Sequence, residues 1–74
     1  MQPATKIHAA PEFGAQLRAS RKSLKLSQED VANVIGVNRR VLSQLENGKA
    51  TVQLQIALEA ARAVGLDITL VPRR

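Results

Sequence analysis

The sequence has no cysteine, tryptophan or tyrosine, and its one aromatic residue is Phe13. Without thiols there are neither disulfides nor thiolate metal ligands, and the single histidine, His8, cannot build a metal site alone. A chain of 74 residues without such staples makes one domain at most and buries a small core, so self-association is expected. The scarcity of aromatic side chains also bears on partners. Single-strand and RNA binders stack bases on aromatic rings, which leaves duplex DNA as the better-matched nucleic acid. No apolar run approaches the roughly 18 residues that a bilayer span requires, and the N-terminus lacks the apolar stretch of a signal peptide. A soluble, cytoplasmic protein without membrane contact is expected, and the lack of cysteine fits a reducing compartment. Paired carboxylates on one face, a nucleophile with a histidine and a Gly-rich phosphate loop are missing as well. Neither an enzyme nor a cofactor-dependent protein is expected.

What is present is positive charge. Eleven Lys and Arg face six Asp and Glu, a net charge of +5 on a very small body. Such density favours polyanions through counterion release, although charge alone also serves solubility, so the arrangement of residues must decide. Residues 1–10 lack sustained periodicity and read as a flexible arm. Pro11 suits a first helical turn, and Phe13, Leu17 and Leu24 then recur at helical spacing. Ser27 is a good N-cap for a second helix, with Glu29 and Asp30 in its first turn, where the dipole favours acids. Val31, Ala32 and Ile35 form its inner face and Gly36 stops it. Asn38 caps a third helix running to about Asn47, closed by Gly48. Thr51 opens a fourth, along which Leu54, Ala57, Leu58, Ala61 and Val64 recur, and Gly65 ends it. The remaining Leu66, Ile68 and Leu70 alternate with Asp67, Thr69 and Val71, the period of a strand, before Pro72.

The second and third helices are joined by only two to three residues around Gly36 and Val37, which forces a fixed, steep crossing. The small Ala32 sits where they touch. On the third helix Val41, Leu42 and Leu45 make one face, and Arg40, Ser43, Gln44 and Asn47 make the opposite one. Every residue of that stripe can hydrogen-bond and none is acidic. Arginine matches the major-groove acceptors of guanine, and glutamine the acceptor–donor pair of adenine. Arg39 lies beside the stripe, near the helix N-terminus, where recognition helices reach bases. A plain solvated face is the competing reading of the same stripe.

The pattern Gln28-x₂-Val31-Ala32-x₂-Ile35-Gly36-Val37-x₄-Leu42-x₂-Leu45, flanked by Ser27-Gln28-Glu29 and Leu45-Glu46-Asn47-Gly48, resembles the Xre/Cro phage-repressor helix-turn-helix family over about residues 12–66. The resemblance implies an all-α, four-helix DNA-binding domain. It implies that Arg39, Arg40 and Gln44 contact bases, and it places Gln28, Asn38, Ser43 and Asn47 near phosphates or in supporting contacts. Lys49 is a further candidate phosphate contact. Glu46, set unfavourably near a helix C-terminus, is implied to form an ion pair with Arg21; two independent surface charges are the alternative. One position departs from the family, which usually has glycine where this sequence has Lys25. Either the first helix ends differently or Lys25 bears left-handed strain.

The ending GLDITLVPRR is similar to the HipB-type antitoxins, dimeric repressors that restrain a HipA-type kinase toxin and repress their own operon. A lone strand leaves its backbone unpaired, and the resemblance implies that Leu66, Ile68 and Leu70 belong to a strand paired across a homodimer. Pairing with the chain's own arm, around Lys6 to Ala9, is the alternative. The chain thus divides into an arm (1–10), a helix-turn-helix domain (11–66) and a dimerisation strand and tail (67–74, ending in Arg73-Arg74). The expected partners are a pseudo-palindromic duplex operator, a second copy and a HipA-like kinase. A stand-alone repressor, a restriction-modification controller and a protein-interaction module that binds no DNA stay open as alternatives.

Overall fold

Helix formation begins where proline allows it. In the computed structural model, which describes residues 4–73, α1 spans Ala10–Ser23 with Pro11 in its first turn. It is followed by α2 (Gln28–Ile35), α3 (Arg39–Glu46) and α4 (Leu54–Ala63). α1 starts at Ala10, one residue before the expected arm boundary, because Ala9 serves as the N-cap and its carbonyl accepts from the Glu12 and Phe13 N–H groups. α2 is opened by a reciprocal capping box. Ser27 Oγ accepts from the Asp30 N–H at 2.9 Å, and Asp30 Oδ2 accepts from the Ser27 N–H at 2.8 Å. This satisfies two donors that a helix start otherwise leaves unpaired. Asn38 opens α3, its Oδ1 accepting from the Arg40 N–H at 2.8 Å.

Gly36 turns the chain between α2 and α3 with φ +75°. A Cβ there would meet open space, so its backbone conformation and not crowding calls for glycine. The Val37 N–H then bonds back to the Ala32 carbonyl at 3.0 Å. Three residues suffice to reverse direction and fix the pair.

α3 packs on both α1 and α2, and α2 packs on α4. Leu17, Val31, Ala32, Leu42, Leu45, Ala60 and Val64 form the buried cluster. Phe13, Leu26, Ile35, Val37, Val52, Ala57, Ala63 and Leu66 close over it. Two residues of the expected helical apolar stripes are exposed. Leu24 is exposed because α1 ends at Ser23 and the chain turns at Lys25, carrying Leu26 inward instead. Leu54 is exposed because α4 begins there and not at Thr51, with Gln53 as N-cap and Val52, just before it, turned onto the core.

The turn after α1 takes a Schellman form: the Leu26 N–H reaches the Arg21 carbonyl at 3.1 Å and the Lys25 N–H the Lys22 carbonyl at 2.9 Å. Lys25 holds the left-handed position with φ +59°, and it is the only non-glycine among the described residues with positive φ. The same closure follows α3, through Gly48 and Lys49, and α4, through Gly65 and Leu66.

Residues 66–73 form no strand within this chain, nor does the arm from residue 4 to 9. The expected strand is therefore not a property of the single chain, since a ladder needs a neighbour to pair with. Ile68, Leu70 and Val71 are exposed, Leu70 almost completely. Arg74 lies outside the described residues. No helix among these residues is long and apolar enough to cross a membrane.

Gly14 is a second structural glycine, for the opposite reason. It is buried in the middle of α1, where a Cβ would lie 2.5 Å from the Leu45 carbonyl oxygen and still nearer that of Glu46. Gly14→Ala should therefore destabilise by about 1–3 kcal/mol, although Ala is normally the better helix former by about 1 kcal/mol. Lys25→Gly, which relieves the left-handed strain, should stabilise by about 1 kcal/mol. Urea denaturation of both variants checks the pair, and a stabilising Gly14→Ala would contradict the close approach of α1 to α3.

Candidate nucleic-acid interface

α3 is divided along its length. Leu42, Leu45 and Glu46 are buried, while Arg39, Arg40 and Asn47 are exposed and Ser43 and Gln44 half-buried. The inner face fits the core, and Glu46 is the one acid on the helix. Its carboxylate points inward. Arg21 Nε donates to Glu46 Oε2 at 2.6 Å and Arg21 Nη2 to Glu46 Oε1 at 3.0 Å, a bidentate fork between side chains that are 9% and 2% exposed. Gln28 Nε2 donates to the same Oε1 at 3.0 Å, and Arg21 Nη1 donates to the Leu26 carbonyl at 2.8 Å. Three helices meet at one carboxylate, and Arg21 ties it to the turn after α1.

The electrostatics follow from these contacts. Burial disfavours the charged form of Glu46, but the hydrogen bonds from Arg21 and Gln28 and the fields of Arg21 and Arg18 outweigh it, holding the carboxyl below the usual glutamate range. Arg21 is shifted upward by its bond to Glu46, against the opposing effect of its burial. Asp30 is lowered by the backbone and side chain of Ser27.

The residues singled out from sequence fall in two groups. Arg39, Arg40, Ser43, Gln44 and Asn47 lie on the outer side of α3, and among the described residues none of their side chains bonds to another. Their donors and acceptors are free for a ligand. Asn38 stands at the start of the helix with its carbonyl oxygen engaged as a cap and its NH₂ free. Lys49 follows the helix, its own N–H closing the last turn on the Gln44 carbonyl at 2.9 Å. Gln28 is placed differently: its amide is turned to Glu46, which joins the start of α2 to the end of α3.

Sequence reasoning missed Gly14 and the Gln28–Glu46 bond. A glycine inside a helical run was a usable signal for the first, because it costs about 1 kcal/mol unless packing requires it. No local signal marks the second.

A short two-helix unit with a tight Gly36 turn, a third-helix face free of acids and a buried inner face is the geometry of helix-turn-helix proteins. The family model described as "Helix-turn-helix domain" matches residues 12–73. The chain belongs to the helix-turn-helix family of transcriptional regulators. The regulator is 34% identical over 67 residues to the uncharacterized HTH-type transcriptional regulator y4mF of Sinorhizobium fredii, covering 90% of this chain and 88% of that one. It is 41% identical over 51 residues to an uncharacterized HTH-type transcriptional regulator of Methanothermobacter thermautotrophicus, covering 69% and 74%. Its fold matches that of the HipB-O4 20mer complex and the HipA-HipB-O2-O3 complex, each with a TM-score of 0.86, 20% identity, and 96% and 100% coverage of the two chains. At that identity the likeness is one of fold.

Breaking the network at its centre should be severe, because a buried charge is left without a partner. Glu46→Ala is expected to lose about 3–5 kcal/mol, comparable to the whole stability of a small domain. The pH dependence has a definite sign. With the folded values of Glu46 and Asp30 lowered, their contributions are present above the usual carboxylate range and vanish as pH falls through the folded values. Stability should thus fall as pH drops below about 4, and Glu46→Gln should be less stable at neutral pH with a flatter acid limb. Thermal melts between pH 2 and 7 decide it; an unchanged acid limb in Glu46→Gln would assign the dependence elsewhere.

Proposed function

We propose that the regulator is a sequence-specific repressor that binds duplex DNA as a homodimer in the cytoplasm, with no catalytic activity of its own. The carrying observation is the outer face of α3, which is free of acids because its single carboxylate is buried against Arg21. With that face in the major groove, Arg39 and Arg40 present forks to guanine and Gln44 presents its amide to adenine. Asn38, Ser43, Asn47 and Lys49 meet the sugar–phosphate backbone or support the readers. Gln28 supports by holding α2 against the end of α3 and keeps its second amide proton for a phosphate.

In vitro selection of duplexes followed by binding measurements tests this division. Arg40→Ala and Gln44→Ala should each lose about 1–3 kcal/mol of specific binding and relax selectivity at different base positions. Lys49→Ala should weaken selected and unselected duplexes alike. If all three behaved the same way, the separation of base readers from phosphate contacts would be wrong, and absence of any salt-dependent duplex binding would favour a protein-interaction module.

The homodimer is supported by the tail. Ile68 and Leu70 are exposed in the single chain, and the segment alternates as a strand does. Pairing of residues 66–71 with the same segment of a second copy fills the ladder and covers those side chains. Two recognition helices then address a pseudo-palindromic site about 34 Å apart. The finer reading is an antitoxin of the HipB kind, paired with a HipA-like kinase. The tail and the fold of the HipB neighbours support it over a stand-alone repressor or a restriction-modification controller.

Leu66 closes the last turn of α4 through its N–H bond to the Ala61 carbonyl at 2.8 Å, so a truncation should spare it. A chain ending at Asp67 should keep its four helices by circular dichroism yet shift toward monomer and lose tight operator binding. Burial of Ile68 and Leu70 contributes at most about 1.5–3 kcal/mol apiece. A truncated chain that stays dimeric by light scattering would exclude the shared strand and, with it, the main support for the antitoxin reading.

A further inference from the structure

The start of α1 is seated on the loop that follows the recognition helix. A Cβ placed on Gly48 would lie 2.7 Å from the Pro11 Cα and 2.9 Å from its nitrogen, so the two backbones touch. One turn further along, Gly14 abuts the carbonyls of Leu45 and Glu46. The chain entering α1 therefore arrives beside Asn47, Gly48 and Lys49, at the C-terminal end of α3.

Its approach is fixed rather than arbitrary. The His8 N–H donates to Glu12 Oε1 at 3.1 Å, Ala9 is extended at φ −152° and ψ 161°, and its carbonyl accepts from the Glu12 and Phe13 N–H groups. Glu12 is thereby turned back onto the chain entering its own helix, where the helix dipole also favours an acid. Residues 4–9 are exposed and carry Lys6 and His8 with no acid among them. Six residues reach at most about 20 Å when extended, enough to follow a strand of the duplex past the phosphate that Lys49 addresses.

We propose that residues 4–9 form an additional contact of the regulator with duplex DNA, in which Lys6 neutralises a backbone phosphate flanking the one assigned to Lys49. The contact carries no base information. It extends the electrostatic footprint beyond the helix-turn-helix along the backbone at the α3 C-terminal end. This rests on the proposed DNA-binding role, and the experiment separates the two.

Binding of the full chain to a selected duplex and to an unrelated duplex is measured over a series of salt concentrations. Each neutralised phosphate adds about 0.9 to the slope of log K against log salt. Lys6→Ala should reduce that slope by about 1 on both duplexes and leave the ratio of the two affinities unchanged. Lys6→Arg should restore it and Lys6→Glu should weaken binding further, with circular dichroism unchanged throughout. If the unsubstituted chain binds the selected duplex but Lys6→Ala leaves slope and affinity as they were, the arm contact is overturned and the helix-turn-helix reading stands. A changed affinity ratio would assign Lys6 to base readout and overturn the backbone contact. Failure of the unsubstituted chain to bind any duplex would overturn both.

Discussion

The bidentate pairing of Arg21 with Glu46 joins α1 to α3, and the Gln28 amide extends the link to the first turn of α2. With the Arg21 bond to the Leu26 carbonyl, the same network holds the turn that carries the chain into the capping box. A buried ion pair is not necessarily more stable than a well-packed apolar substitute. Its distinctive effect here is on orientation. α3 has eight residues and is too short to be stable alone, so its rotation about its axis is set by what its inner face can bury. Leu42 and Leu45 fix that rotation by packing, and Glu46 fixes it by charge, since turning the helix would strand a carboxylate away from its partner.

The same arrangement shapes the electrostatics of the outer face. A carboxylate near the recognition surface would repel phosphate, and a helix C-terminus is already a poor place for one. Burial against Arg21 removes the acid from the surface while keeping its structural use. What faces outward on α3 is Arg39, Arg40, Ser43, Gln44 and Asn47, neutral or positive throughout. On a chain of net charge +5, such a face suits the proposed contact with duplex DNA, to which exposed positive charge would add a salt-sensitive part of the affinity. The close approach of Gly14 and Gly48 to neighbouring backbone packs α1 tightly against this helix, so the first helix acts as a brace for the third.

Much of this was legible along the chain because it depends on local chemistry. Ser27 and Asn38 read as caps and act as caps, for a side-chain oxygen two or three residues from a free N–H needs no tertiary partner. Gly36 read as the turn, and Lys25 read as a departure at a position that wants glycine; both lie in the left-handed region. The polar stripe of α3 was legible from its spacing. Helix boundaries were less so: Thr51 read as the start of the fourth helix, but Val52 is drawn onto the core and α4 begins at Leu54. Leu24 and Leu54 matched helical periods and yet are exposed, since periodicity does not reveal where a helix ends.

The sequence by itself determined the four helices, the tight turn and the hydrogen-bonding face, because capping, turn conformation and helical period are set by residues within one or two turns of each other. Only the tertiary structure decided that Glu46 faces Arg21 and Gln28 together, that Gly14 is the point where α1 crosses α3, and that Pro11 rests on Gly48. Those facts join segments up to several dozen residues apart, and which side chains meet there depends on how the helices pack, a global balance of burial and charge that no local pattern encodes. The tail shows the same division. Its alternation is written in residues 66–71, but a ladder takes a second strand, and within the single chain none of the described residues provides one.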